Sequence, residues 1–262
     1  MIVFAGLVPH PPLLIPEVGK NNLNSLKQTI ESYQRLEQDL YASKPEVLLL
    51  LGKFGETSEQ AFVINQKPKV KVEFKNFGDL LTKLEFDTDL ALGYKIREAT
   101  ETTLPVILSA QENLDYHVGV ALYALAQHLP HIKIVNIVSS HLDAQMHVKF
   151  GEEIKEIINQ SGKRIAVIAS CDLSPKLSHE SPAGFAPEGQ EFDQLILKKF
   201  ASKDFKALLE LNPEIAKKAE AENAWKTILL LFGLIKNLNY TPEQLSYEAP
   251  FGIGYLVENF RL

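Results

Sequence analysis

Short runs of apolar residues alternate along this chain with segments in which apolar residues recur at every third or fourth position. The first run, Ile2–Val8, ends at Pro9, and a helical pattern then extends from Leu23 to Leu40. A short continuous apolar run is typical of a strand buried on both faces, and the wider spacing is typical of an amphipathic helix. The alternation predicts an α/β fold with three layers, α/β/α, in which helices cover both faces of a mostly parallel or mixed central sheet.

The same pattern continues through most of the chain. Further strands are expected at residues 47–51, 106–108, 132–138, 165–169, 245–248 and 254–257. Further helices are expected at residues 87–102, 118–129, 144–159, 189–202, 205–218 (with a break at Pro213) and 222–238. Residues 62–74 alternate weakly and include Pro68, which predicts a hairpin or an edge excursion. No repeat or Ser/Gly linker interrupts the chain, so residues 1–262 are expected to form a single domain.

Composition excludes several classes of function. The 262 residues are 45% apolar, which is enough for a core, and the formal net charge of −6 gives no general attraction to nucleic acid or to an anionic membrane. The longest apolar segment, residues 228–235, is far shorter than the roughly 20 residues that a membrane-spanning helix needs. The single cysteine, Cys171, and the lack of a basic leader predict a cytoplasmic protein without disulfides.

Residues that carry chemistry follow most of the expected strands. In open α/β sheets, ligands bind at the carboxyl ends of the strands, where loops and helix N-termini converge. The side chains expected at this edge are those of His10, Lys53, Glu56, Asp115, Ser139, Ser140, His141, Ser170, Cys171, Asp172 and His179. Imidazole and carboxylate groups together suit Fe, Zn or Mn, so this set indicates a candidate site for a divalent metal.

Simpler interpretations of the same residues stay open. A histidine between prolines, as His10 is, is equally typical of a turn, and Lys53 with Glu56 is typical of a surface ion pair. Cys171 is expected to be a small buried apolar residue, because no histidine lies near it in sequence to act as a base. His147 lies on an expected helix and is expected to face water.

Three segments, in consistent order, carry a resemblance to a known family. Residues 4–16 read FAGLVPHPPLLIP, residues 169–193 include ASCDLS, SPAGF and EFD, and residues 246–255 read SYEAPFGIGY. Together they resemble the LigB-like superfamily, which comprises the B subunits of class III extradiol ring-cleavage dioxygenases and the related MEMO-type proteins. The resemblance covers nearly the full chain.

The resemblance implies a non-haem Fe(II) held by two histidines and a glutamate, with a catechol-type small aromatic substrate and O₂ at the open positions. Carried over by position, His10 matches the first iron ligand and Glu248 the last. The two side chains are therefore expected to meet in one pocket. Lys53, Phe54 and His141 are expected to contact the substrate.

The sequence departs from the family pattern at two histidines. Phe54 stands at the second metal ligand, and Pro175 stands at the catalytic histidine. Neither side chain can donate a lone pair to a metal or carry a proton, so the standard site cannot assemble. The family's Asp-His-Gly segment reads Asp115-Tyr116-His117, which displaces its histidine by one position.

Two compensations are open. The loop histidines His117, His141 and His179 can rebuild a metal site. His117 and His179 are then expected to act with Asp172 as catalytic residues. Alternatively, Lys53 can replace the positive charge of the metal opposite Glu248. Fe(II) is the cofactor implied by the resemblance, and Zn(II) or no metal are the alternatives.

Three functions follow. The first is an extradiol-type dioxygenase with a rebuilt metal site. The second is a non-catalytic, MEMO-like module that binds a small molecule or a protein. The third is a metal-free enzyme that uses Lys53 with Glu248 or Asp172 as acid and base. The family also assembles through subunit contacts, which implies a homodimer.

Overall fold

The structure, a computed structural model, describes residues 1–52 and 60–262, and in this part a ten-stranded mixed sheet is covered by helices on both faces. This confirms the predicted α/β class. The strands are β1 (Ile2–Val8), β2 (Val47–Gly52), β3 (Phe62–Asn65), β4 (Lys69–Glu73), β5 (Lys83–Thr88), β6 (Val106–Ser109), β7 (Lys133–Val138), β8 (Ile165–Ser170), β9 (Thr241–Glu248) and β10 (Tyr255–Arg261). The helices are α1 (Pro16–Gly19), α2 (Lys27–Ala42), α3 (Leu90–Thr100), α4 (Tyr116–Leu125), α5 (Ala144–Gln160), α6 (Pro187–Ser202), α7 (Phe205–Leu209), α8 (Pro213–Lys218) and α9 (Glu222–Ile235).

The strand order places a parallel centre between antiparallel edges. The main path is β4-β5-β7-β2-β8-β1-β10-β9, with β3 beside β7 and β6 beside β3. The strands β5, β7, β2, β8 and β1 run parallel to one another, whereas β4, β10 and β9 pair antiparallel. The carboxyl ends of the parallel strands therefore lie along one edge, which is where a ligand site is expected.

Burial on both faces explains the continuous apolar runs. In β2, Val47, Leu49 and Leu51 belong to the core layer under α5, α6 and α9, while Leu48 and Leu50 belong to the layer under α2 and α4. The outer helices of the first layer pack closely at a glycine. A Cβ atom at Gly151 of α5 would lie 2.3 Å from the carbonyl oxygen of Leu230 in α9, so this approach requires glycine.

Some predicted boundaries were wrong. The segment from residue 87 was expected to start a helix, but Asp87 lies in β5, and α3 begins at Leu90 after its N-cap residue Asp89. In β5, exposed Lys83, Glu85 and Asp87 alternate with half-buried residues, which is a strand pattern. The expected break at Pro213 is confirmed, since α7 ends at Leu209 and α8 begins at Pro213.

The segment 62–74, expected to form a hairpin or an edge excursion, does not form a hairpin, although β4 does lie at the end of the main strand path. Its two halves become β3, which pairs with β6 and β7, and β4, which pairs with β5. Alternation identifies a strand but does not specify its partner, so the sequence could not separate the two arrangements. Within the ranges described, no helix has both the length and the apolar character needed to cross a bilayer.

Candidate functional site

A cavity of about 270 Å³ lies at the carboxyl ends of β1 and β8, beside the N-termini of α4 and α9. Its walls combine aromatic rings, ionisable groups and small apolar side chains. The lining residues are His10, Tyr116, His117, Ser170, Cys171, Asp172, Leu173, Pro175, Glu220, Ala221, Asn223, Ala224, Thr227 and Ile253. Its volume is close to the lower end of the range for small-molecule pockets, so it suits a small ligand.

His10 is held through both its backbone and its ring. Its backbone N–H donates to Oδ1 of Asp172 at 2.7 Å, and its ring Nδ1 lies 3.2 Å from Oγ of Ser170. The Ser170 hydroxyl donates its hydrogen to the carbonyl oxygen of His117 at 2.9 Å, so the proton between His10 and Ser170 belongs to Nδ1 of His10. Burial, and then the charge of His117, hold the pKa of His10 well below its usual value. His10 is therefore a neutral imidazole with Nε2 as its acceptor nitrogen.

Asp172 faces that acceptor. Its Oδ2 lies 3.7 Å from Nε2 of His10. Burial raises the pKa of Asp172 to about 6, against the opposing effects of the His10 backbone N–H and the charge of His117. Asp172 is therefore mainly ionised at neutral pH and gains a proton under mildly acidic conditions.

His117 is oriented by the aspartate two residues before it. Asp115 is the N-cap residue of α4, and its Oδ1 accepts the backbone N–H of His117 at 3.1 Å and also contacts ring Nδ1 of His117. Burial raises the pKa of Asp115, but the hydrogen bond and charge of His117 outweigh it, and the net shift is downward. An ionised carboxylate on Nδ1 fixes the ring proton there and makes Nε2 the proton-accepting nitrogen.

Aromatic rings form a continuous row that begins in the cavity wall and ends at Phe77, which is exposed and is not a lining residue. The His117 ring packs edge-on against His10, with centroids 4.4 Å apart, and stacks on Tyr116 at 3.8 Å. Tyr116 in turn meets the edge of Phe77 at 4.8 Å. Burial, followed by the charges of Asp172 and Asp115, raises the pKa of Tyr116 to about 12, so its hydroxyl stays protonated. The row gives the cavity an apolar side against which a flat ring can pack.

Ser174 fixes the loop that carries Leu173 and Pro175 into the wall. Its backbone N–H donates to Oδ1 of Asp193 at 2.9 Å, and its hydroxyl donates to the carbonyl oxygen of Ala219 at 2.8 Å. Oδ2 of Asp193 accepts the Tyr247 hydroxyl at 2.7 Å. The wall is thus tied to α6, to the segment before α9 and to β9.

The structure brings three of the predicted site residues together and places others elsewhere. His10, His117 and Asp172 line the cavity, and so does Pro175. Glu248 does not line it: its Oε1 accepts hydrogen bonds from Thr29, from the backbone N–H at 2.8 Å and the hydroxyl at 2.6 Å. His10 and Glu248 were expected to share a pocket, but only His10 lines this cavity. A metal-binding role for either residue stays a prediction.

The remaining predicted residues either do not line this cavity or lie outside the described residues. The His179 ring packs against Phe185 with centroids 4.8 Å apart, and His141 is an exposed residue whose carbonyl oxygen accepts from Lys226. Neither is among the cavity-lining residues, so their proposed roles stay predictions. Lys53 and Phe54 lie outside the described residues.

Two further interpretations can also be compared with the structure. Cys171 is buried as expected, and burial raises the pKa of its thiol. His147 was expected to face water, but it is fully buried and packs edge-on against Phe62, with centroids 4.9 Å apart. Burial lowers the pKa of His147 to about 4, so this side chain is a neutral core residue.

Sequence reasoning missed the residues that helices contribute. Tyr116 was considered only as part of a displaced motif, and Glu220, Asn223 and Thr227 of the α9 region were assigned no role. Asn223 and Thr227 lie four positions apart in α9, which is the signal that they share one helical face, whereas Glu220 precedes the helix. Glu220 is balanced by Lys176, whose Nζ lies 2.8 Å from its carboxylate.

The donors in the described part of the chain do not fit the family's iron site. In residues 1–52 and 60–262, no group of three or more histidine, cysteine, aspartate or glutamate side chains is placed to hold a metal ion. Nδ1 of His10 is used by Ser170, and Oδ1 of Asp172 is used by the backbone of His10. Pro175 offers no donor at the position of the catalytic histidine. The identity of any cofactor, Fe(II) or Zn(II), stays a prediction.

Comparisons with known proteins agree with this fold. A protein of Clostridium acetobutylicum, CA_C1420, is 24% identical over 259 residues, which are 95% of this chain and 55% of that protein. The chain thus spans about half the length of this relative. The crystal structure of the uncharacterised protein JW3007 from Escherichia coli K12 matches with a TM-score of 0.68 at 13% identity, covering 98% of this chain and 99% of that one.

The family model that matches the chain covers almost all of it. Residues 5–258 match the family described as the catalytic LigB subunit of aromatic ring-opening dioxygenase. This match confirms the resemblance read from the three sequence segments. The chain belongs to the LigB family.

Proposed function

We propose that this protein binds a small dihydroxylated aromatic molecule in the His10 cavity and removes a proton from one of its hydroxyl groups, with His117 as the base. The observation that carries the proposal is that His117, whose Nδ1 contacts Asp115, lines a small cavity and stacks on the Tyr116 ring in its wall. Membership in a family of aromatic ring-opening dioxygenases supports the class of ligand.

The acceptors in the cavity suit a ligand that presents neighbouring donors. The imidazoles of His10 and His117 and the ionised carboxylate of Asp172 all line the cavity, and each of these groups has atoms that can accept a hydrogen bond. A catechol-type ring has two adjacent hydroxyl donors and a flat apolar face, which can stack beside Tyr116. The acceptors and the ring therefore match the two chemical properties of such a ligand.

The proton transfer has a defined course. The O–H bond of the ligand breaks, its electron pair stays on oxygen as a phenolate, and the proton moves to Nε2 of His117. Asp115 stabilises the imidazolium that forms, because its carboxylate already contacts Nδ1. Ring opening by O₂ is the reaction of the family, but the described donors do not supply its metal site, so the proposal ends at the bound, deprotonated ligand.

A titration with 4-nitrocatechol tests the proposal, because ionisation of this catechol changes its visible spectrum. The wild-type protein is expected to bind it and to shift its spectrum to the ionised form at a pH where the free ligand is protonated. His117→Gln is expected to bind without that shift, and His128→Gln, at a surface histidine paired with Glu37, is expected to match the wild type. Binding without ionisation in the wild type, or no binding, would refute the proposal.

A second candidate is a module that binds its ligand without turnover, as in the MEMO-type proteins. Pro175 in the cavity wall favours it, because the family's catalytic histidine is replaced by a side chain that cannot transfer protons. Ionisation of bound 4-nitrocatechol separates the candidates, because the first requires it and the second does not. Ionisation or oxygen uptake that requires His117 contradicts the binding module, whereas binding with neither supports it.

A further inference from the structure

Glu248 occupies the position that the resemblance assigns to the last metal ligand, yet the structure gives it a different neighbour. It ends β9, and its Oε1 accepts both the backbone N–H and the hydroxyl of Thr29, at 2.8 and 2.6 Å. Thr29 is fully buried. The contact joins β9 to the first turn of α2, across a separation of 219 residues in the chain.

The first turn of α2 lacks a cap of its own. The helix begins at Lys27, the side chain of its N-cap residue Leu26 accepts no hydrogen bond, and its first turn holds no acidic residue. The first N–H groups of a helix have no acceptor within the helix, and its N-terminus favours a negative charge. Glu248 supplies both the acceptor and the charge from a neighbouring strand.

The same face of α2 also holds the backbone before His10. Tyr33 lies four residues after Thr29, so the two side chains project from neighbouring turns on one side of the helix. Tyr33 is buried, and its hydroxyl donates a hydrogen bond to the carbonyl oxygen of Pro9. A continuous set of contacts therefore runs from Glu248 through α2 to the residue that precedes His10.

We propose that Glu248 is a positioning residue, which fixes α2 and through Tyr33 the backbone at Pro9 and His10, and that it is not a metal ligand. The effect on ligand binding rests on the proposed function, whereas the effect on α2 does not. The two roles make different demands on the side chain. A metal ligand needs the carboxylate charge, whereas the donors of Thr29 need an oxygen acceptor, which glutamine also has.

Four variants separate these roles: Glu248→Ala, Glu248→Gln, Thr29→Val and the double variant Glu248→Ala/Thr29→Val. We expect Glu248→Ala to raise the unfolding equilibrium constant about tenfold and to speed amide exchange in the first turns of α2. The double variant is expected to resemble Glu248→Ala alone, because both changes remove one contact. Glu248→Gln is expected to restore most of the stability and the affinity for 4-nitrocatechol.

Glu243→Ala is the matched control on the same strand. Glu243 also joins β9 to α2, through Arg35, but at the surface, where ion pairs contribute little. It is expected to leave amide exchange at the start of α2 and ligand affinity unchanged.

Two results would overturn the proposal. One is stoichiometric binding of Fe(II) or Mn(II) alone to the wild type, measured by calorimetry, that Glu248→Gln abolishes and Thr29→Val leaves intact. The other is additive effects of Glu248→Ala and Thr29→Val on unfolding. If the wild type fails to bind 4-nitrocatechol, the proposed function fails, while the unfolding and exchange measurements still decide the role of Glu248.

Discussion

Asp115 binds His117 twice with one carboxylate oxygen: Oδ1 accepts the backbone N–H at 3.1 Å and contacts ring Nδ1. The first contact begins α4, and the second sets the tautomer of the imidazole. The same carboxylate oxygen thus caps the helix and orients the proposed base. Removal of the Asp115 side chain is therefore expected to alter both helix stability and proton transfer.

Asp115→Asn is expected to separate these two effects when it is compared with the same substitution at the N-cap residue of another helix. Asparagine still caps α4, but it no longer stabilises the imidazolium, so bound 4-nitrocatechol is expected to ionise about one pH unit higher. Asp143→Asn is the control, because Asp143 caps α5 by accepting the backbone N–H of Met146 at 2.8 Å, and it is not a lining residue. A spectrophotometric pH titration measures the shift, and equal curves for both variants would contradict the role of Asp115.

Asp172 is expected to give the pH profile of ligand affinity an acid limb, that is, a decrease in affinity at low pH. Its pKa is raised to about 6, so the carboxylate that accepts a ligand hydroxyl is present above that pH and becomes protonated below it. Affinity for 4-nitrocatechol, measured by calorimetry, is expected to decrease as the pH falls through about 6. Asp172→Asn is expected to remove this limb while its amide oxygen still accepts the His10 N–H. A limb that persists in the variant would assign it to another group.

Glu258 is expected to make the protein less stable as the pH rises. This carboxyl group on β10 is 2% exposed, and burial, followed by the charge of Glu243, raises its pKa to about 8. Between the unfolded value near 4.5 and about 8, the unfolded chain is ionised while the folded chain retains the proton, so stability falls with pH over that window. The loss is on the order of 5 kcal/mol.

Glu258→Gln mimics the protonated form and tests this pH dependence. Denaturant unfolding is expected to show that the variant gains stability relative to the wild type between pH 5 and about pH 8. Asp172 and Asp193 also have raised pKa values and contribute in the same direction, so the difference between the two proteins is the relevant quantity. A difference that does not change with pH would contradict the assignment.

The wall of the cavity is expected to depend on Asp193. Removing its carboxyl group in Asp193→Ala leaves the Ser174 N–H and the Tyr247 hydroxyl without this acceptor, at a cost of about 2 to 4 kcal/mol. Tyr247→Phe removes one donor and leaves the Ser174 contact, so it is expected to cost about 1 kcal/mol. Chemical denaturation gives both values, and equal costs would show that the Ser174 contact contributes little.

Most of the sheet could be predicted from the sequence because its central strands are buried on both faces. Runs such as Ile2–Val8 need no knowledge of their neighbours to be recognised as strands. The strand β5 was not predicted, because its alternation of exposed and half-buried residues is weak and a helix was expected from Asp87. The strands β3 and β4 were predicted as one hairpin, because alternation does not show which strand pairs with which.

The site residues that follow strand ends could be predicted from the sequence, whereas those that depend on the packing of helices could not. His10 and Asp172 each come two residues after a strand, β1 and β8, so topology alone brings them to one edge. Tyr33 and Thr29 act through contacts with Pro9 and Glu248 that depend on how α2 packs. The family pattern identified Glu248 as important, but its neighbour follows from tertiary structure.

A crystal structure of the protein with 4-nitrocatechol, grown anaerobically in the presence of Fe(II), tests the central claim most directly. The account predicts the ring in the His10 cavity beside Tyr116, with one ligand oxygen about 3 Å from Nε2 of His117. It also predicts that Glu248 keeps its contact with Thr29. An iron ion bound by His10 and Glu248, or a ligand that does not contact His117, would contradict the account.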